Sequence, residues 1–183
     1  MVATEALKSD HRVIEKVLHV LEAASKKIDQ GGEVPIDVLK KAADFIRNFA
    51  DIYHHGKEEN ILFKSMEEKG FPREGGPIGV MLMEHDEGRG YVRGLVEGIE
   101  KYAAGDSSAK KTIVENARNF AGLLAPHIQK EDSILYMMAD NILPEAFQKE
   151  LLHRFDLVEK EKLGEGKRQY YVTLADELEN AVK

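Results

Sequence analysis

The chain has 183 residues, 43% hydrophobic and 32% charged, which is enough for one domain with a substantial core. Its formal charge of -7 argues against nucleic acid or an anionic membrane as the main partner, because both attract clusters of Lys and Arg. The absence of cysteine excludes disulfides, zinc–thiolate sites and thiol nucleophiles. No stretch approaches the ~18 apolar residues that span a bilayer, and no signal-peptide core is present, so we expect a soluble, cytoplasmic protein.

Apolar residues at helical spacing predict four long helices in the first 140 residues. Groups of Gly, Pro and polar residues at 29–35, 69–77, 103–108 and 140–145 separate the helical segments. Long helices with short connections are typical of an antiparallel up-down four-helix bundle. A shorter helix is predicted at about 145–162, and a last one follows the break at 163–167. We therefore expect an all-α protein, with the bundle at 1–140 and a helical extension at 141–183 packed on the bundle.

Each predicted bundle helix carries one histidine within its apolar stripe. In the second and fourth helices, a glutamate follows four residues later and therefore lies on the same face. At a rise of 1.5 Å per residue, all of these side chains fall roughly 10 to 22 Å from one end of an antiparallel bundle. The sequence thus predicts one polar layer in the core, formed by His11, His54, Glu58, His85, His127 and Glu131.

A buried layer of four imidazoles and two carboxylates requires partners. Each unpaired polar group costs on the order of several kcal/mol in an apolar interior. Metal ions remove this cost by taking imidazoles and carboxylates as ligands. Six ligands are too many for one tetrahedral zinc with an open position, whereas two metals sharing two carboxylates suit the count. Nitrogen and oxygen donors without sulfur favour iron, with manganese as the less favoured metal.

The order of these motifs resembles the hemerythrin-like (HHE cation-binding) domain family. The resemblance rests on His11, on HHGKE at 54–58, on EHDEGR at 84–89 and on HIQKE at 127–131. It covers about residues 5–140.

The resemblance implies a four-helix bundle that holds a non-haem di-iron centre. Carried over position by position, it makes Glu58 and Glu131 the bridges between two iron ions. It places His11 and His54 on one iron. His85 and His127 would ligate the other.

Arg89 is a departure from the oxygen-carrying hemerythrins, which have a histidine at this position. An arginine is always protonated and cannot ligate a metal. His55 is the first candidate to replace the absent ligand. A solvated neighbour of His54 is an equally good interpretation of this residue. Gly88 leaves room for water, peroxide or a small ligand. The weaker candidates, of which the glutamates are more often surface charges, are Tyr53, Glu59 and Glu84.

The sequence indicates a non-haem di-iron protein that binds or reacts with a small oxidant such as oxygen, peroxide or nitric oxide. The changed ligand set argues against reversible oxygen transport. An iron or oxygen sensor without turnover is the alternative, and a structural bundle without metal is a third interpretation. The expected partners are a small diatomic or peroxide ligand and an unidentified electron donor. Glycines at 90, 94 and 98 permit close helix approach, which we assign to an internal contact ahead of a homodimer seam.

Overall fold

The computed structural model describes residues 2–182, which form six helices connected by short loops. Helix α1 is Ala3–Asp29, α3 is Pro77–Ala103 and α6 is Lys167–Ala181. The other three helices, α2 (36–67), α4 (109–142) and α5 (145–163), each contain wider π-helical turns. Those turns are Ile46–His55 and Glu58–Leu62 in α2, Glu131–Leu135 in α4 and Glu159–Leu163 in α5. The all-α prediction is confirmed, since the described residues contain no strand.

The helix ends follow from local chemistry. Gly31 has φ +80 and Gly105 has φ +100, a region that costs glycine little, and each directly follows the last turn of a helix. The amide of Gly32 then donates to the carbonyl of Lys27, which satisfies a carbonyl left free by the end of α1. Pro77 begins α3, where its missing N–H would have no helical partner.

The first four helices pack as the predicted bundle, with α3 and α4 antiparallel. A Cβ added at Gly98 would meet Ile113, and one added at Gly88 would meet Phe120, so residue numbers rise along α4 as they fall along α3. At Gly94, a Cβ would clash with the amide of Asn116. This part of the glycine series is therefore an internal helix contact.

The hydrophobic core is divided by the polar layer. A large cluster contains Val17, Leu21 and Leu95, together with apolar residues of α2, α4 and α6. A smaller cluster contains Leu7, Leu62 and apolar residues of α3, α4 and α5. The six histidines and glutamates of the predicted layer are all buried, with exposures of 1% or less.

The residues after 140 pack on the bundle through two helices. Tyr171 of α6 packs against Phe45 of α2, with 5.9 Å between ring centroids, and joins the large core cluster. Leu151 and Phe155 of α5 join the smaller cluster. The division of the chain into two parts, 1–140 and 141–183, remains a prediction. The first residue of the first part and the last residue of the second, at positions 1 and 183, lie outside the described residues.

None of the helices within residues 2–182 is both long enough and apolar enough to cross a membrane.

Candidate metal centre

Seven buried side chains form two adjacent groups in the polar layer. In each group, one nitrogen or oxygen atom per residue lies within 4.8 Å of the corresponding atoms of the others, a span that one metal ion can bridge. The four-ligand cluster is His11, His54, Glu58 and Glu131, and the three-histidine cluster is His55, His85 and His127. The six residues predicted from the sequence thus lie together, and His55 lies with them.

The wide turns of α2 explain how two consecutive histidines face the interior. In an α-helix, neighbouring residues are too far apart around the axis for His54 and His55 to share a face. The π-helical segment Ile46–His55 has more residues per turn, which reduces that angle. His54 therefore faces His11, with 4.6 Å between ring centroids, while His55 stacks on His85 at 3.8 Å. π-helical turns are frequent at functional sites.

A ring of carboxylates holds the imidazoles from outside. Nδ1 of His11 donates to Asp132 at 2.7 Å, and Nδ1 of His85 donates to Glu59 at 2.7 Å. Nδ1 of His127 donates to Glu84 at 2.8 Å. Two further pairs are looser, with Nδ1 of His55 at 3.3 Å from Asp51 and Nδ1 of His54 at 3.6 Å from Asp10. We call Asp10, Asp51, Glu59, Glu84 and Asp132 the outer carboxylates.

Four of these contacts connect successive helices in a closed cycle. Asp10 of α1 faces His54 of α2, and Glu59 of α2 accepts a hydrogen bond from His85 of α3. In the same way, Glu84 of α3 accepts from the histidine of α4, and the outer carboxylate of α4 accepts from the histidine of α1. Each helix therefore supplies a group to the centre and supports a group from the next helix.

The outer carboxylates also fix which imidazole nitrogen is free. An ionised carboxylate only accepts hydrogen bonds, so the proton of a neutral imidazole that it holds is on Nδ1 and the lone pair is on Nε2. Nε2 of His85 lies 3.1 Å from Nε2 of His127, and two facing lone pairs require a cation or a proton at that point. Hydrogen-bonded imidazoles with their other nitrogen on a metal are the usual arrangement in metalloproteins.

The inward-facing atoms include several without hydrogen-bond partners. Among the described residues, Nε2 of His54, Oε2 of Glu58 and both carboxylate oxygens of Glu131 are buried and unpaired. Nε2 of His11 lies 3.2 Å from Glu131, and that of His127 lies 3.2 Å from the same carboxylate. Unpaired buried carboxylate oxygens facing imidazole nitrogens are the atoms that a cation would satisfy, so the residues present fit a metal site.

The close packing of these groups shifts their ionisation. Burial and the charge of Glu131 raise the pKa of Glu58 to about 8. Burial opposes a charge on His85, but its contacts with Glu131 and Glu59 outweigh burial and raise its pKa to about 10. Burial and the facing His85 lower the pKa of His55 to about 3. Cations are thus attracted to the carboxylates, and metal ions compete with protons for the same positions.

Arg89 does not enter the centre but organises its surroundings. Its guanidinium donates to Asp51 at 2.9 Å and to Glu59 at 2.7 Å. These two carboxylates contact His55 and His85, so one arginine supports two imidazoles of the three-histidine cluster. The sequence analysis excluded Arg89 as a ligand, and this indirect role was missed.

Tyr136 is a site residue that the sequence analysis also missed. Its buried hydroxyl donates to Glu58 and lies 3.3 Å from Nε2 of His11. The π-helical turn Glu131–Leu135 immediately before it shifts the helix phase, so a stripe traced at steps of three and four passes through Leu135 instead.

The weaker ligand candidates are placed outside the two clusters. Glu59 and Glu84 are only 22% and 13% exposed and hold imidazoles, so interpreting them as surface charges was wrong. Tyr53 is buried against Phe49 and beneath the ammonium of Lys57.

A cavity of about 410 Å³ lies between α2 and α3 and reaches the centre from one side. His55 and His85 line its inner end, and Gly88 and Arg89 line its wall, as the sequence analysis expected for Gly88. None of the four-ligand cluster lines this α2–α3 cavity. Access from it is therefore to the three-histidine cluster.

Comparison with known families agrees with this arrangement, since the profile of the hemerythrin HHE cation binding domain matches residues 2–139. The chain belongs to this family. Members bind metal cations, typically iron. Two uncharacterized proteins of Mycobacterium tuberculosis and one of Mycobacterium bovis are similar to it, each 22% identical over 180 residues. The similarity covers 98% of this chain and 70% of each relative, so it includes helices beyond residue 139. No solved structure matches the chain.

Proposed function

We propose that the chain is a non-haem di-iron protein that binds or reacts with a small oxidant. One iron would be held by the four-ligand cluster and the other by the three-histidine cluster, with Glu58 and Glu131 shared between them. The observation that supports this most is the convergence of imidazole Nε2 atoms and unpaired carboxylate oxygens in one buried layer. The outer carboxylates strengthen the proposal, because they leave the inward nitrogens free to ligate.

The donor set favours iron over the alternatives. Imidazole and carboxylate ligands without sulfur suit iron and manganese, and imidazole also suits zinc. A structural zinc takes four ligands in a closed tetrahedron, whereas here seven side chains are divided between two adjacent groups. Manganese is the second choice, because it is usually found with more oxygen ligands.

The residues of the chain define how such a centre would be used. When bound, ferrous ions supply electrons to oxygen, peroxide or nitric oxide. The α2–α3 cavity leads a ligand to His55 and His85, while the four-ligand cluster is sealed from it. Tyr136 holds a proton on its hydroxyl beside Glu58. Arg89 and the outer carboxylates keep the imidazoles of the three-histidine cluster oriented.

An iron or oxygen sensor without turnover is the second candidate, favoured by one contact. Arg168 of α6 donates to Asp10 at 2.9 and 3.2 Å, and Asp10 also pairs with the fully buried Lys57 and faces His54. The last helix is thus two contacts from a candidate ligand. A change at the centre would alter the attachment of α6 to the bundle.

Metal content and the optical spectrum of aerobically purified protein test the first proposal. We expect two irons per chain and near-ultraviolet absorption from an oxo-bridged ferric pair. Zinc alone, or no metal and no visible band even after ferrous iron is offered anaerobically, would contradict it. Stopped-flow oxidation of the ferrous protein by peroxide then separates the two candidates. Slow oxidation together with a large loss of helicity on iron removal favours the sensor.

His55→Ala tests the role of the additional histidine. We expect the variant to retain about one iron per chain, because the three-histidine cluster loses one of three ligands while the four-ligand cluster is intact. His19→Ala, at an exposed position of α1, is the matched control and should retain two. Two tightly bound irons in both variants would mean that His55 is a packing neighbour and not a ligand.

A further inference from the structure

The α2–α3 cavity is much larger than a diatomic molecule or a peroxide requires. Its volume of about 410 Å³ exceeds the ~30 Å³ of one water molecule more than tenfold. Sites for organic small molecules have volumes of about 300 to 1,000 Å³. The lining extends on α3 from Glu84 to Glu100, which corresponds to about 24 Å of helix. The cavity thus has the volume and length for an elongated organic molecule.

The cavity also has apolar walls, between its charged lining residues. These walls are contributed by three helices, so a chain lying along the cavity would contact hydrocarbon on several sides. Such surfaces favour an apolar ligand by removing it from water. The apolar lining residues are Ile46, Ala50, Val92, Val96, Phe120 and Leu124.

Two arginines stand on opposite walls at the same distance from the centre. Arg47 precedes His55 by eight residues on α2, and Arg93 follows His85 by eight residues on α3. The rings of His55 and His85 stack at 3.8 Å, and Arg89, four residues after one, bonds Asp51, four residues before the other, so α2 and α3 run in opposite directions. Both arginine positions are therefore displaced from the imidazoles by about 10 to 12 Å along the helix axes, towards the same end of the cavity.

The charge balance of the lining leaves these two arginines available. Within residues 2–182, the exposed side chains of Arg47 and Arg93 form no ion pair, whereas the charged lining residues other than Glu100 are paired. Glu100 lies about two turns beyond Arg93, which disfavours an anion at the far end of the cavity. The paired lining residues are Arg89 with Asp51, Glu84 with Lys130, and Glu97 with Lys101.

We propose that the α2–α3 cavity binds a single-chain aliphatic monocarboxylate. Its carboxylate lies between Arg47 and Arg93, and its hydrocarbon chain runs along the apolar walls with its far end against His55 and His85. Arginine pairs bind carboxylates through charge-assisted hydrogen bonds. The inference deepens the proposed function and rests on it, because it presents an aliphatic carbon chain to the metal centre as substrate or regulator.

Equilibrium dialysis of the full chain with radiolabelled decanoate tests the proposal, on iron-loaded and chelator-treated samples. We expect saturable binding of one decanoate per chain. Affinity should fall about fourfold for each methylene removed, so that butyrate, which is six methylenes shorter, binds more weakly by on the order of a thousandfold or more. Decanol, which has the same chain and no charge, should bind about tenfold more weakly because it cannot pair with the arginines. Decanol binding as tightly as decanoate would contradict the carboxylate assignment.

Substitutions separate the cavity from non-specific binding. The double variant Arg47→Gln/Arg93→Gln should weaken decanoate binding about tenfold or more. Val92→Phe, on the histidine side of Arg93, should abolish it by filling the space assigned to the hydrocarbon chain. Arg118→Gln, whose side chain pairs with Asp29 on the surface, is the control and should bind as the wild type does. Circular dichroism of each variant checks folding.

The outcomes distinguish this inference from the proposed function. Absence of saturable decanoate binding to protein that carries two irons overturns the inference and leaves the di-iron proposal intact. Binding that is equal in the Arg47→Gln/Arg93→Gln and wild-type proteins also overturns it. Saturable, arginine-dependent binding that moves the near-ultraviolet absorption of the iron-loaded protein supports it. Binding to a chain that never takes up iron would support the cavity site while refuting the metal centre.

Discussion

The buried ion pair between Asp10 and Lys57 predicts an asymmetry between two substitutions. Lys57 is only 1% exposed, and its ammonium pairs with Asp10. Arg168 donates two further hydrogen bonds to the same carboxylate. Burial lowers the pKa of Lys57. Burial opposes a charge on Asp10, but the contacts with Lys57 and His54 together outweigh it and lower the pKa of Asp10. Asp10 is thus the shared acceptor of two cations, and Lys57 has one carboxylate partner.

Asp10→Asn should therefore cost more than Lys57→Met. The first change leaves a buried ammonium without a carboxylate, which lowers the free energy of unfolding by about 3–5 kcal/mol. The second leaves Asp10 with both hydrogen bonds from Arg168 and replaces the lysine stem with an apolar one, so we expect about 1–2 kcal/mol. Because the double variant has no unpaired ammonium, it should be more stable than Asp10→Asn alone.

Urea unfolding at pH 7, followed by far-ultraviolet circular dichroism, measures these differences. Chelator in all samples removes the contribution of bound metal to the apparent stability. The exposed pair Lys16–Asp176, at 2.5 Å, also joins α1 to α6 and provides the control. Asp176→Asn should cost no more than about 1 kcal/mol. A cost of Asp10→Asn equal to that of Lys57→Met, or a double variant as unstable as the sum of both, would refute the reasoning.

Three further predictions concern other contacts. Tyr136→Phe removes the hydroxyl that donates to Glu58 and should destabilise the metal-free protein by about 1–3 kcal/mol in the same urea assay; an unchanged midpoint would contradict that hydrogen bond. Arg89→Gln releases two outer carboxylates and should weaken metal binding about 10- to 100-fold in chelator competition, whereas equal affinities would show that these supports are dispensable. Burial and Asp44 raise the pKa of Tyr171 to about 12, so its contribution to stability is present below about pH 10 and is lost as the pH rises to about 12. The midpoint temperature of thermal unfolding should therefore fall more steeply with pH over that interval for the wild type than for Tyr171→Phe. Parallel curves would contradict this.

The sequence predicted the bundle and its polar layer because both depend on helical periodicity. His11 and His127 fall on apolar stripes that an α-helix repeats every three or four residues, and breakers fix where the stripes begin and end. The layer is placed correctly because rise per residue converts chain position into height. These are properties of one helix at a time.

The remaining features depend on departures from the ideal helix or on neighbouring helices. His55 was undecided because nothing in residues 46–55 signals a π-helical turn, and only that turn brings it beside His54. Glu59 resembles any exposed glutamate of a helix until α3 is packed against it. Lys57 and Arg168, separated by more than 100 positions, meet at one carboxylate for reasons that no local pattern contains.

The closed cycle of outer carboxylates constrains how the family can vary by mutation. A carboxylate lost from one helix leaves unsupported an imidazole on the next helix, while the ligand beside it in sequence is unaffected. For example, loss of Asp132 would leave the imidazole of His11, 121 residues away, without its hydrogen-bond acceptor, and the adjacent Glu131 would not be affected first. Relatives should therefore change these positions in pairs drawn from different helices. A helix transplanted from a distant relative would bring its own ligand into place and disturb that of its neighbour.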